Sequence, residues 1–169
     1  MKNQNMRYNV VFLLLTLMLT NCMDREKEYD IMLDGLLNES IPFISPEELQ
    51  QLDSPYLLLD TRSPEEYAIS HIKGARIVGF EDFRPEEVAQ FKRDTTVIVY
   101  CSVGYRSEKI GEKLKELGFK HIRNLYGGIF AWKNHGMEVV GKDGLPTDSV
   151  HAYNQTWSRW LWNGVKVYD

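Results

Sequence analysis

Short apolar runs alternate with longer amphipathic segments through the middle of this chain. Tyr56–Leu59, Ala75–Val78 and Val97–Tyr100 are compact runs rich in β-prone residues, and His121–Leu125 is a weaker fourth. Runs this short, without polar alternation, predict strands covered on both faces, as in a parallel sheet packed between helices. The stretch 107–117 has the other period: Ile110, Leu114 and Leu117 fall on one helical face, and Gly118 follows as a stop. Two helix starts are written in the same letters. Ser45-Pro46-Glu47-Glu48 and Ser63-Pro64-Glu65-Glu66 each offer a Ser N-cap, Pro at the first helical position and Glu at the third, the capping-box pattern. Arg84-Pro85-Glu86-Glu87 repeats the Pro-Glu-Glu signal without a Ser cap. Strands and helices in alternation predict one α/β domain over residues 41–140.

The two ends differ from this middle. Lys2 and Arg7 precede an apolar run, Val10–Leu19, broken only by Thr16. The run is shorter than the roughly 20 residues that span a bilayer, and a basic start before a short apolar core is the pattern of an export signal. Leu19-Thr20-Asn21-Cys22 resembles a bacterial lipobox, with Asn21 where a smaller residue is usual. The expectation is a signal peptide over 1–21 and lipidation of Cys22, placing the protein outside the cytoplasm, in the periplasm, anchored to a bacterial membrane. A plain anchor, or a secretory signal beside a chance cysteine, is the alternative. Residues 22–40 read as a charged tether with a short helix over Ile31–Leu37. Residues 141–169 form an extension broken by Gly141, Gly144 and Pro146, then rich in tryptophan at Trp157, Trp160 and Trp162. Packing onto the core is the first reading of these aromatics, and a lid or docking face the second.

Charge and cysteine usage narrow the chemistry. The net charge of −4 comes without a basic stripe, which argues against a nucleic-acid partner. Cleavage after Asn21 would leave 18 Lys and Arg against 24 Asp and Glu. The two cysteines, Cys22 and Cys101, have no metal-ligand spacing, so neither a metal nor a cofactor is expected. With Cys22 lipidated, Cys101 would be a lone thiol in an exported protein, a flag for reactivity.

Cys101 closes the run Val97–Tyr100 and is followed by Ser102, Val103, Gly104, Tyr105, Arg106 and Ser107 before the predicted helix. The carboxyl end of a parallel strand is where open α/β sheets bind ligands. A sharp turn there aims backbone N–H groups inward as an anion cradle at the positive end of the next helix. Gly104 can take the positive φ such a turn needs, and Arg106 adds a permanent charge. That setting favours the thiolate, a nucleophile suited to an anionic substrate, with the reaction on sulfur or on phosphorus. A small buried cysteine at a strand end is the unreactive alternative.

The segments "LLLDTRSPEEYAISHIKGARIV" and "VIVYCSVGYRSEKIGEKLKELGFKHIRNLYGGIFAWKNHG" resemble the rhodanese family of single-domain sulfurtransferases. The likeness rests on Asp60-Thr61-Arg62, Glu66-Tyr67, His71-Ile72-Lys73-Gly74-Ala75, the Cys101 loop, Gly118-Phe119, Gly127-Gly128 and Ala131-Trp132. It implies a five-stranded parallel sheet with helices on both faces. It also implies that Cys101 takes sulfane sulfur from thiosulfate or a similar small sulfur-containing anion, holds it as a persulfide, and passes it to a thiol or to cyanide. Residues 102–107, with Arg106 foremost, would bind the substrate. Relatives acting as phosphatases or arsenate reductases carry a longer loop, so four residues between Cys101 and Arg106 favour sulfur. A binding module that carries sulfur without turnover is the remaining alternative. The resemblance makes Asp60, Arg62 and His71 structural and lets Tyr105 wall the pocket.

Overall fold

The computed structural model describes residues 24–168, which fall into two compact units divided between Leu36 and Leu37. The expectations for the export signal and for Cys22 lie outside the described residues. In the first unit, residues 24–36 form a helix, α1. The tether expected here is therefore largely helical. Its charged opening, Asp24-Arg25-Glu26-Lys27-Glu28, is rich in Glu, Lys and Arg, which are good helix formers, and no Gly or Pro interrupts it before Gly35.

The second unit is built on five parallel strands: β1 (Phe43–Ile44), β2 (Leu57–Asp60), β3 (Arg76–Ile77), β4 (Thr96–Tyr100) and β5 (His121–Leu125), in the order β1-β5-β4-β2-β3. Four of these are the expected runs. β1 was not foreseen, because two residues carry no readable period; it pairs at the sheet edge, Phe43 with Asn124 and Ile44 with Leu125. Parallel order requires crossovers, which helices α2 (Pro46–Gln50), α3 (Pro64–Ile69) and α4 (Tyr105–Glu116) and a 3-10 turn over Pro85–Val88 supply, and α5 (Gly128–Asn134) follows the last strand of this sheet. Both Ser-Pro-Glu-Glu signals become complete capping boxes, at Ser45 with Glu48 and at Ser63 with Glu66. The third signal, lacking Ser, makes only the 3-10 turn and has no side-chain cap.

β4 is the centre of the sheet and is fully buried from Val97 to Tyr100. Val97 and Val99 share one face with Leu59, Ile110, Leu114 and Phe119 in the main core cluster, while Ile98 and Tyr100 face the other layer. The register aligns Asp60 with Tyr100, so both strands end at the same edge and Cys101 is the first residue beyond it.

The extension is ordered structure. β6 (Val139–Val140) pairs antiparallel with β7 (Pro146–Thr147), and β8 (Ser149–His151) pairs parallel with β9 (Val165–Val167), with α6 (Gln155–Ser158) between. Its buried apolar residues are Val150, Ala152 and Leu161. Trp157, Trp160 and Trp162 are each only partly buried, so smaller side chains carry most of the packing expected of the tryptophans.

Candidate active site

Cys101 is almost fully buried, and its Sγ accepts a hydrogen bond from the Gly104 N–H at 3.1 Å. The intervening turn is possible because Gly104 has φ 118°, a left-handed conformation open to glycine. α4 begins at Tyr105, two residues earlier than its apolar stripe indicates, and its first intrahelical bond runs from the Glu108 N–H to the Gly104 carbonyl at 3.0 Å. The N–H groups of Tyr105, Arg106 and Ser107 precede that bond, leaving orphan donors of a helix N-terminus beside the thiol.

Neighbouring elements hold the carbonyls of the turn. The N–H groups of Ile129 and Phe130, in the first turn of α5, donate to the carbonyls of Cys101 (2.9 Å) and Ser102 (3.1 Å). α5 comes this close because residue 128 is glycine: with φ 57°, a Cβ there would lie 2.3 Å from the Cys101 carbonyl oxygen. From β5, the fully buried Asn124 donates its amide to the Gly104 carbonyl at 2.9 Å. The Ser107 hydroxyl lies 2.7 Å from Asn124 Oδ1 and 3.0 Å from the Gly104 carbonyl. The Ser107 hydroxyl is thus engaged by Asn124 and the turn, which leaves its backbone N–H as the group that faces no intrahelical partner.

Arg106, expected to add a permanent charge to the cradle, is paired with a carboxylate. Its Nη1 donates to Glu66 Oε2 at 2.7 Å and its Nη2 to Glu66 Oε1 at 2.8 Å. The Ser102 hydroxyl closes the triangle, accepting from Arg106 Nη2 (3.0 Å) and donating to Glu66 Oε1 (3.1 Å). Burial works to raise the pKa of Glu66. The hydrogen bonds and charge of Arg106, the Ser63 N–H and the charge of Arg62 outweigh that and hold it at about 2. For Arg106, burial works to lower the pKa, and Glu66 together with the nearby Cys101 charge drives it upward. One carboxylate therefore caps α3 and clamps the end of the cysteine loop.

Of the remaining expected residues, Val103 is buried in the turn and Tyr105 is exposed on its outer side. Asp60 and Arg62 form a fully buried pair, Nη2 to Oδ2 at 2.6 Å, and Arg62 also donates to the Ser70 carbonyl at 2.7 Å. His71 stacks on Tyr67 with ring centroids 3.8 Å apart and exchanges backbone hydrogen bonds with Val140. These three residues brace the strand edge. No group of three or more His, Cys, Asp or Glu among the described residues is arranged to hold a metal. Glu66, Asn124 and Gly128 complete the site without having been read as part of it. Glu66 and Gly128 lay in noted motifs, but nothing local to Asn124 marks it.

A family model described as the rhodanese-like domain matches residues 45–135. A tRNA uridine(34) hydroxylase of Legionella pneumophila is 38% identical over 94 residues, which are 52% of this chain and 37% of that protein. The chain spans less than two thirds of the length of such curated relatives: 30% of a tRNA uridine(34) hydroxylase of Streptococcus thermophilus and 58% of a protein of Synechocystis. Among solved structures, a rhodanese-like domain protein from Staphylococcus aureus superposes with a TM-score of 0.51 at 30% identity, covering 58% of this chain and 97% of that one. Thiosulfate sulfurtransferase from Pseudomonas aeruginosa gives a TM-score of 0.54 at 26% identity, covering 72% of this chain and 23% of that one.

Proposed function

Because the chain belongs to the rhodanese-like domain family, matched over residues 45–135, we propose that it is a sulfurtransferase that carries sulfane sulfur on Cys101. The observation that carries this reading is the Cys101 Sγ seated in a glycine-hinged turn, bonded to the Gly104 N–H and flanked by the orphan N–H groups of α4.

In the first step, the Cys101 thiolate attacks the outer sulfur of thiosulfate. The S–S bond of the donor breaks, its electron pair leaves with sulfite, and Cys101 becomes a persulfide anion. In the second, a thiol or cyanide attacks the terminal sulfur and the Cys101 thiolate is released. No external oxidant or reductant enters, because each step is a displacement at sulfur. Donors fixed by the Asn124, Ile129 and Phe130 contacts need little reorganisation to meet the anion. Arg106, largely neutralised by Glu66, sets the shape of the turn and offers its remaining N–H groups rather than a bare charge.

Thiocyanate production from thiosulfate and cyanide tests the reading. The wild type turns over and Cys101→Ser does not; absence of thiocyanate from the wild type overturns it. Sulfur loading without turnover would instead support the carrier alternative. A role on tRNA, suggested by the names of the hydroxylase relatives, is disfavoured by a net charge of −4, since phosphate contacts call for clustered Lys and Arg. The reading extends to location: lipid on Cys22 would tether the domain outside the cytoplasm. Fatty-acid incorporation that disappears in Cys22→Ala is the expected result, and no incorporation into the wild type overturns it.

A further inference from the structure

The extension beyond residue 140 brings a side chain to the site. The ring of Tyr153 lies against the Arg106 guanidinium, 5.2 Å from Cζ to the ring centroid. Its backbone conformation is unusual: Tyr153 has φ 63°, and the Asn154 N–H donates to the Ala152 carbonyl at 2.8 Å around it. This is the positive-φ form of the γ-turn, rare and strained, and a bulky residue there persists only when its surroundings over-determine it. They do so here. The Ala152 N–H donates to the Val167 carbonyl (2.8 Å), the Tyr153 N–H to His151 Nδ1 (3.2 Å), and Asn154 Oδ1 accepts from the Trp157 N–H (3.1 Å). β8 packs beside α3, the helix that carries Glu66. Farther along, Lys133 Nζ meets Asp148 at 2.6 Å, and Asn134 donates to the Trp160 carbonyl while accepting from the N–H groups of Trp162 and Asn163.

A strained turn so firmly held nevertheless leaves Tyr153 50% exposed, so burial in the core does not account for it. What the ring does cover is one face of Arg106. Glu66 and Ser102 already occupy three of the five guanidinium N–H groups, leaving only Nε–H and one Nη1–H for any other acceptor. Cys101 itself is 1% exposed, so the approach to its sulfur is narrow, and Tyr153 stands beside the residue that ends its loop.

Resting on the sulfur-transfer reading, we propose that Tyr153 is a specificity-determining residue of this site: its ring, fixed over Arg106, walls the approach to Cys101 and admits small or slender acceptors while excluding bulky thiols. Tyr153→Gly removes the ring and suits the positive φ, so the fold is kept; Tyr153→Asn is a second ringless variant that tolerates the same conformation. Tyr153→Phe keeps the ring.

Each variant is first loaded with thiosulfate and checked by mass for one added sulfur on Cys101. Discharge is then timed with cyanide and with reduced glutathione. The ringless variants are expected to raise the glutathione-to-cyanide ratio of kcat/KM by about tenfold, and Tyr153→Phe to leave it near the wild-type value. Loaded ringless variants with an unchanged ratio overturn the Tyr153 proposal and leave sulfur transfer standing. Equal losses with both acceptors reduce Tyr153 to a structural part and also overturn it. Failure of the wild type to load removes the sulfur-transfer reading and this proposal with it.

Discussion

Replacing Glu66 by Gln changes little in shape and removes the charge that holds three parts of the site together. The carboxylate accepts from the Ser63 N–H (3.0 Å), the Ser102 hydroxyl (3.1 Å) and both terminal nitrogens of Arg106 (2.7 and 2.8 Å). A glutamine keeps one acceptor oxygen and turns an NH2 group toward a donor. The magnitude follows from proton linkage. The folded pKa of about 2 lies below the ordinary 4.5, because the bonds and charge of Arg106 overcome the opposing effect of burial. The contribution is therefore complete above the unfolded pKa and is lost as pH falls toward the folded one. A shift of this size corresponds to about 3 kcal/mol at neutral pH. Urea unfolding of the wild type and Glu66→Gln across a pH series reads it directly. The gap in stability is expected to be largest near neutrality and to close between pH 4.5 and 2. A gap below about 1 kcal/mol at neutral pH, the range of an exposed ion pair, would refute the reasoning. So would a gap that stays constant through the acid range.

Three further outcomes are expected. Gly128→Ala places a Cβ 2.3 Å from the Cys101 carbonyl oxygen in a left-handed conformation; it should lower stability by more than about 3 kcal/mol and abolish sulfur loading, both measurable on purified protein. Asn124→Ala leaves the Gly104 carbonyl and the Ser107 hydroxyl without their buried partner. A loss of about 1–3 kcal/mol in urea unfolding is expected, together with a slower loading rate as the turn relaxes. Asp60→Asn leaves the fully buried Arg62 without its counter-charge and should cost about 3–5 kcal/mol, whereas the double variant Asp60→Leu/Arg62→Met should recover much of that loss.

The sheet was largely legible because its central strands are buried on both faces, and burial on both faces writes continuous apolar runs such as Val97–Tyr100. The helix starts were legible because a capping box is a local bargain between a hydroxyl and a carboxylate three residues apart. β1 was not, since a two-residue edge strand owes its existence to Asn124 and Leu125 across the sheet. The same distinction divides the site. Cys101, Gly104 and Arg106 are neighbours in the chain, so their spacing suggests a cradle. Glu66 was visible as a helix cap and as part of the Glu66-Tyr67 motif; that both its oxygens meet Arg106, 40 residues on, is a consequence of α3 and α4 leaving the same edge of the sheet. Tyr153 had no signal of any kind, because a positive φ on an aromatic residue contradicts local preference and is imposed by β8, β9 and α6 around it.

The central claim is that Cys101 is the sulfur carrier, and the sulfur itself can be weighed. Protein incubated with thiosulfate and passed through a desalting column should gain the mass of one sulfur atom, located by peptide mapping to the segment containing Cys101 and released as thiocyanate by cyanide. Cys101→Ser should fold as the wild type does and gain nothing. An unchanged wild-type mass, or a sulfur gain of the same size in Cys101→Ser, would contradict the account.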